Sequence, residues 1–147
     1  MAQVIVTAER EVGGSAQRVR AELADYAQTR PKILTGQFSD YQVLTGGQGA
    51  GTEVHWKFAA TSKRVRDQLI SVSEPADGSL VESDANSTMV TTWRVTDAGE
   101  GRALVSVRAT WDGAGGIGGF FERTFAPKGL SKVYQEMIGK LDGSGSA

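Results

Sequence analysis

The fold turns on the reading of residues 111–125, WDGAGGIGGFFERTF. Gly113, Gly115 and Gly118 stand here in the spacing G-x-G-x-x-G, between a strand-like segment and a helix-like one. In that context such glycines can cradle a dinucleotide. A dinucleotide fold, however, needs this turn after an early strand. It also needs further parallel strands and helices behind it, and an acid about 20 residues on at the end of the next strand. Here the glycines come near the end of the chain, and the acid at that separation, Glu136, lies in the middle of the single helical segment that follows. The nucleotide reading fails on context. The glycines instead serve a corner where the chain leaves its last strand and swings into a helix, because glycine permits positive φ and close backbone approach. The loop then belongs at the rim of whatever the helix covers, and its glycines let it move.

Downstream of the corner, Ile117, Phe121, Phe125, Leu130, Val133 or Tyr134, Met137 and Leu141 fall on one face at helical spacing. Ala126-Pro127 sits inside this pattern with Gly129 behind it. Proline removes a ladder hydrogen bond and crowds the preceding turn, so a kink or brief break is expected there. The tail GSGSA, residues 143–147, is expected to be disordered.

Upstream, the region from Phe38 to Trp111 reads as six strands: SDYQVLT, GTEVHWKFAAT, VRDQLISVSE, SLVESD, MVTTWRVTD and RALVSVRATW. The turn signals GGQGAG, PADG, DANS and DAGEG separate them. Such short connectors favour antiparallel hairpins in a meander. Residues 3–12, QVIVTAEREV, alternate at their start and supply a seventh strand. Ser15 is a candidate N-cap for an amphipathic helix carrying Val19, Leu23 and Tyr26. Arg30-Pro31 interrupts that pattern, and Pro31 can start a second short helix, PKIL, where its missing N–H does no harm. The order is strand, two short helices, six strands, long helix. The sheet's apolar face and the helix's apolar stripe must bury each other. This predicts an α+β fold with a seven-stranded curved antiparallel sheet wrapped around the C-terminal helix, residues 1–142 forming one domain.

Composition narrows the function classes. The chain has 147 residues, a net charge of −1 and no cysteine, so disulfides and thiolate chemistry are excluded. Without a basic surplus, nucleic acid binding has little electrostatic support. The one basic cluster, SKRVR at residues 62–66, reads as a solvated strand edge. No run approaches the roughly 20 apolar residues that cross a bilayer, and MAQVIVTAEREV lacks a signal-type apolar stretch. The expectation is a cytoplasmic protein without stable membrane insertion, a monomer or weak homodimer.

The order of elements resembles the START-like, birch-pollen-allergen-like superfamily (SRPBCC), and within it the bacterial polyketide cyclase/dehydrase-type proteins. GGSAQRVRAELADY, GQGAGTEVHWKF, LISVSEPADGSLV, TTWRVTDAGEGRALVSVRATW and FFERTFAPKGLSKVYQEMIGKL carry the likeness, which covers nearly all of residues 3–141. The resemblance implies a helix-grip fold with a cavity between sheet and helix for sterols, lipids, polyketides or other apolar molecules. One departure stands out. In TRPKILTG, Ile33 and Leu34 occupy the place where many relatives carry tryptophan, which leaves the shape of the pocket entrance open.

Alternation nominates the lining. Val54, Trp56 and Phe58 face inward on one strand, Met89, Thr91, Trp93 and Val95 on another, and Val105, Val107, Ala109 and Trp111 on a third. Ile70 and Val72 share parity with Arg64, Arg66 and Gln68, so those polar groups approach the cavity end and can orient a ligand. The helices add Tyr26, Ile33, Leu34, Phe121, Phe125 and Tyr134. The tryptophans suit a cavity wall, although aromatic residues also simply fill cores. His55, the one histidine, falls on the outer face. Glu82 and Asp84 share a strand face. They form an acid–base pair if buried, but the commoner reading is a solvated face. No catalytic residue, cofactor or metal site is assigned. The expected function is binding or carriage of a small hydrophobic molecule. A polyketide cyclase, aromatase or dehydratase is the alternative, and a protein-interaction module the second.

Overall fold

The computed structural model describes residues 3–61, 64–112 and 126–141. Strand β1 (Gln3–Gly13) leads into helices α1 (Ala16–Leu23) and α2 (Thr29–Ile33). Six strands follow: β2 (Phe38–Thr45), β3 (Glu53–Thr61), β4 (Arg64–Ser73), β5 (Leu80–Asp84), β6 (Val90–Gly99) and β7 (Arg102–Asp112). Helix α3 (Ala126–Gly139) closes the described chain. The strands form one antiparallel sheet in the order β1-β7-β6-β5-β4-β3-β2. The expected helix-grip architecture is present.

Local chemistry explains the first turn of the chain. Ser15 caps α1, its hydroxyl accepting from the Arg18 N–H at 3.2 Å. α1 buries Val19 and Leu23, one turn apart. α2 begins at Thr29, two residues before Pro31, because Asp25 reaches forward to it. The Asp25 carboxylate accepts from the backbone N–H groups of Gln28 and Thr29 and from the Thr29 hydroxyl. The helix stops at Ile33, and Leu34 is already extended. Arg30-Pro31 therefore lies inside this short helix instead of interrupting the chain before it.

The core lies between the inner sheet face and α3. The helix buries Leu130, Val133, Tyr134, Met137, Ile138 and Leu141, a stripe at three- and four-residue steps. Both Val133 and Tyr134 belong to that stripe. Each such side chain contributes about 1.5–3 kcal/mol when fully buried. Pro127 is the second described residue of α3. Phe121, Phe125 and the glycine corner lie outside the described residues, as do the tail and the residues preceding Ala126-Pro127, against which the kink expected there would be seen.

α3 also covers an open sheet edge. Ser131 Oγ donates to the Thr7 carbonyl and Gln135 Nε2 to the Glu9 carbonyl, both at 2.9 Å. These bonds satisfy acceptors on β1 that no strand pairs, which blunts the edge against foreign strands. At the other edge, β2 is interrupted by irregular register between Ser39 and Gln42 and between Val43 and Thr45.

The described residues of the SKRVR cluster, Arg64 to Arg66, are not on an edge strand. β4 lies between β3 and β5. Its first half nevertheless runs past the end of β5, which pairs with it only from Ile70 to Ser73, so Arg64 and Arg66 stand in a stretch paired by β3 alone among the described residues.

Candidate functional site

Between α2, α3 and the inner faces of strands β2 to β7 the structure forms a partly open cavity of about 120 Å³. That is close to the roughly 150 Å³ of an engineered apolar cavity that takes up benzene. All three tryptophans, Trp56, Trp93 and Trp111, line it. The other walls are mainly apolar, with Phe38, Phe58, Ile70, Met89, Leu130, Val133 and Met137 among them.

A polar cluster forms one wall. Arg30 is 1% exposed and its Nη2 lies 2.6 Å from the Glu82 carboxylate, itself 4% exposed. The same carboxylate accepts from the Tyr26 hydroxyl at 2.5 Å and from the Trp93 indole N–H at 3.2 Å. The guanidinium sits 4.6 Å from the Tyr26 ring centroid and 5.0 Å from that of Trp93, two cation–π contacts in a dry setting. Burial alone would weaken the charge on Arg30. The Glu82 carboxylate and the Tyr26 oxygen more than offset this and hold the guanidinium firmly protonated. Burial pushes the Tyr26 hydroxyl well above the ordinary tyrosine value, and Glu82 adds to the shift although Arg30 opposes it. The Tyr134 phenol is raised by burial too, against the bond it shares with the Thr91 side chain.

The local chain geometry delivers Arg30 to this wall. The glycine-rich turn between β2 and β3 clasps the α1–α2 junction. Gly47 O accepts from the Tyr26 N–H, Gly49 N–H donates to Ala24 O, and Gln48 Nε2 reaches Asp25 Oδ1 at 2.6 Å. The Arg30 N–H in turn donates to Asp25 O. Gly49 has φ +57°, a left-handed conformation that favours glycine, and a Cβ there would press on the Glu74 carboxylate. Glu74 is itself fixed by the Ala50 N–H and Arg20.

A second polar group spans β3 and β4. Gln68 Oε1 accepts from the Trp56 indole at 2.7 Å, and Gln68 Nε2 points to the Met89 sulfur at 3.2 Å. Phe38 packs edge-on to Trp56, with centroids 5.8 Å apart. Tyr41 stacks on the same indole and donates its hydroxyl to Tyr26 O at 2.6 Å.

Of the residues nominated from sequence, Leu34, Trp56, Phe58, Arg66, Thr91, Trp93, Trp111 and Tyr134 line the cavity. Tyr26, Ile33 and Val107 do not; they are buried in the core behind it. Tyr26 is held back by its bond to Glu82, and Val107 stands between its register partners Ala8 on β1 and Trp93 on β6. The Arg64 side chain, Phe121 and Phe125 lie outside the described residues. The solvated-face reading of Glu82 and Asp84 is overturned, for both are buried. They nonetheless form no acid–base pair. Glu82 faces the cavity, whereas Asp84 ties down the β5–β6 turn through Leu69 N–H, Asn86 N–H and Ser87 Oγ. Arg30 is the main residue that sequence reasoning missed. His55 lies toward the outside in contact with Asp67. Among the described residues no cluster of candidate metal ligands occurs, and no helix is long and apolar enough to cross a membrane.

Residues 3–143 match the family described as polyketide cyclase / dehydrase and lipid transport. Among solved structures, the KanY protein (ms6282) is 44% identical, with 100% of each chain covered and a TM-score of 0.88. A START superfamily protein from Mycobacterium smegmatis is 13% identical over 93% of this chain and 96% of its own, with a TM-score of 0.73. The Zhui aromatase/cyclase from Streptomyces sp. R1128 is 13% identical over 95% and 94%, with a TM-score of 0.71. These last two likenesses concern the fold. No curated protein sequence matches the chain.

Proposed function

The chain belongs to the polyketide cyclase / dehydrase and lipid transport family, and from that premise we propose that it binds and carries a small hydrophobic molecule in the cavity between sheet and α3. The observation that carries this reading is the cavity itself. It is walled by three tryptophans and aliphatic side chains, yet keeps about 120 Å³ unfilled, whereas interiors normally pack without such gaps. A guest gains by removing apolar surface from water, at roughly 25 cal/mol per Å² before the costs of association. The volume favours a ring-sized guest over a whole sterol.

Carriage is favoured over catalysis by how the ionisable wall groups are engaged. Glu82 is held by Arg30, Tyr26 and Trp93. Burial keeps the Tyr134 phenol from giving up its proton. A general acid or base works best with a pKa near the operating pH, which the raised Tyr134 phenol does not have, and the Glu82 carboxylate is already occupied by three protein donors. The proposed ligand-contacting residues are Leu34, Trp56, Phe58, Arg66, Thr91, Trp93, Trp111 and Tyr134, with Arg30, Gln68 and Glu82 as the polar wall.

The test is retention of tetralin, a two-ring hydrocarbon. Protein equilibrated with tetralin is passed through gel filtration, and the protein fraction is extracted for gas chromatography. About one equivalent of unchanged tetralin per chain is expected. Its absence from the protein fraction would overturn the reading.

A further inference from the structure

Two methionines line the cavity, and they differ in access. Met89 is partly exposed, whereas Met137 is 2% exposed. The third methionine of the chain, Met1, lies outside the described residues. Met89 follows the β5–β6 turn, which pins its backbone on both sides. Its N–H donates to Ser87 Oγ at 3.1 Å, and its carbonyl accepts from the Asp84 N–H at 3.0 Å. Ser87 Oγ donates in turn to Asp84 Oδ2. The thioether is thus held where solvent meets the guest space.

A buried amide faces that sulfur. Gln68 is 5% exposed, its Oε1 accepts from the Trp56 indole at 2.7 Å, and its Nε2 points to the Met89 sulfur at 3.2 Å. An indole N–H only donates, so Trp56 fixes the orientation of the amide and sends the NH₂ end to Met89. A thioether is a weak acceptor. A buried donor met so poorly calls for an explanation. An oxygen carried on the same sulfur would accept from Nε2 far better than the sulfur itself.

We propose that Met89 is an oxidation site that controls the cavity: peroxide converts its thioether to the sulfoxide, the Gln68 amide holds the new oxygen, and, resting on the carrier reading above, the cavity loses affinity for apolar guests. In the step, a sulfur lone pair attacks hydrogen peroxide. The S–O bond forms as the O–O bond breaks, and the leaving hydroxide takes the proton of the transferred oxygen and departs as water. Sulfur is oxidised by two electrons and the peroxide reduced by two. The product is the reversible first rung of methionine oxidation, which methionine sulfoxide reductases undo. A flexible apolar wall becomes a polar one, and an apolar guest must strip water from it.

The experiment treats the whole chain with hydrogen peroxide under conditions that oxidise free methionine, and locates added oxygen by peptide mapping. Tetralin affinity is measured by calorimetry before and after. The Gln68 side-chain amide, assigned with Gln68→Leu, is followed by NMR. Met89 should take up one oxygen while Met137 stays reduced. Tetralin binding should weaken about ten-fold, as for a wall group that must be desolvated, and the Gln68 amide protons should move downfield. Met89→Leu should bind tetralin equally before and after peroxide. Met89 left reduced, or oxidised no faster than Met137, overturns the site. An unmoved Gln68 amide overturns its part in holding the oxygen. Unchanged tetralin affinity after Met89 is oxidised, or an equal loss in Met89→Leu, overturns the control of the cavity while leaving the carrier reading intact. Untreated protein that takes up no tetralin overturns the carrier reading, and the peptide map still decides the oxidation site.

Discussion

Arg30 Nη2 and the Glu82 carboxylate meet 2.6 Å apart, each almost wholly removed from water, one delivered by a five-residue helix and the other by a five-residue strand. Such a pair is weak evidence for stability in itself, yet removing one partner strands a buried charge. Arg30→Met is expected to lower unfolding free energy by about 3–5 kcal/mol. The double variant Arg30→Met/Glu82→Gln should recover part of that loss, because glutamine is neutral and its single oxygen can still accept from the Tyr26 hydroxyl. Urea denaturation of the variants measures this. A single variant as stable as the parent would show that the pair is not sealed from solvent.

Gly129 offers a gain. It lies within α3, lines the cavity, and a Cβ built there meets nothing within 4 Å among the described residues. Gly129→Ala is expected to raise stability by about 0.4–1 kcal/mol through the unfolded chain. Gly129→Leu extends further and should weaken guest binding while the fold persists. Thermal unfolding and tetralin calorimetry on both variants check the two effects; a destabilised alanine variant would contradict the first.

The three tyrosines, Tyr26, Tyr41 and Tyr134, all have phenols pushed above the ordinary value of 10.0, with burial as the leading cause in each. A raised acid is stabilised in its neutral form, so this contribution is complete below pH 10 and is lost as pH rises beyond it. Phenolate absorbance should therefore stay flat through pH 10 and appear in a single step when the protein unfolds. A smooth non-cooperative titration centred on pH 10 would contradict the packing described here.

At the acidic end the sign reverses. Hydrogen bonds from the Ser79 hydroxyl and N–H, helped by Arg94, lower Asp77 to about 2. The Ala50 N–H and then Arg20 lower Glu74. Asp25 is lowered although burial works the other way, because bonds from Thr29, Gln48 and the Gln28 and Thr29 N–H groups outweigh it. Carboxyls depressed in the folded state contribute stability above their ordinary values of 3.8 and 4.5 and lose it as pH falls toward 2. The urea midpoint should fall between pH 5 and pH 2, and Asp77→Asn should shallow the fall. A flat midpoint over that range would refute the assignment.

The sheet and helix were legible because their signals are periodic. Val54, Trp56 and Phe58 alternate with Glu53, His55 and Lys57, and strand bounds read from such patterns differ from those observed by at most two residues. Much of the cavity wall followed from the same parity. The polar wall did not, because it is made by contacts that no local pattern encodes. Arg30 looked like part of a break before Pro31. Its burial depends on Asp25 starting a helix and on the β2–β3 turn clasping that helix from more than a dozen residues away. Glu82 shared the appearance of a surface strand acid until Arg30, Tyr26 and Trp93 surrounded it. One signal was available: Glu82 shares parity with Leu80, which is buried, so an alternating strand already placed it on the inner face.

Because every tryptophan of the chain lines the cavity, intrinsic fluorescence reports on that space. Titration with tetralin should change the emission saturably at about one equivalent per chain, and Gly129→Leu should diminish the response. Emission spectra that superimpose up to the solubility limit of tetralin would mean that no guest enters, and the account of a carrier cavity would be wrong.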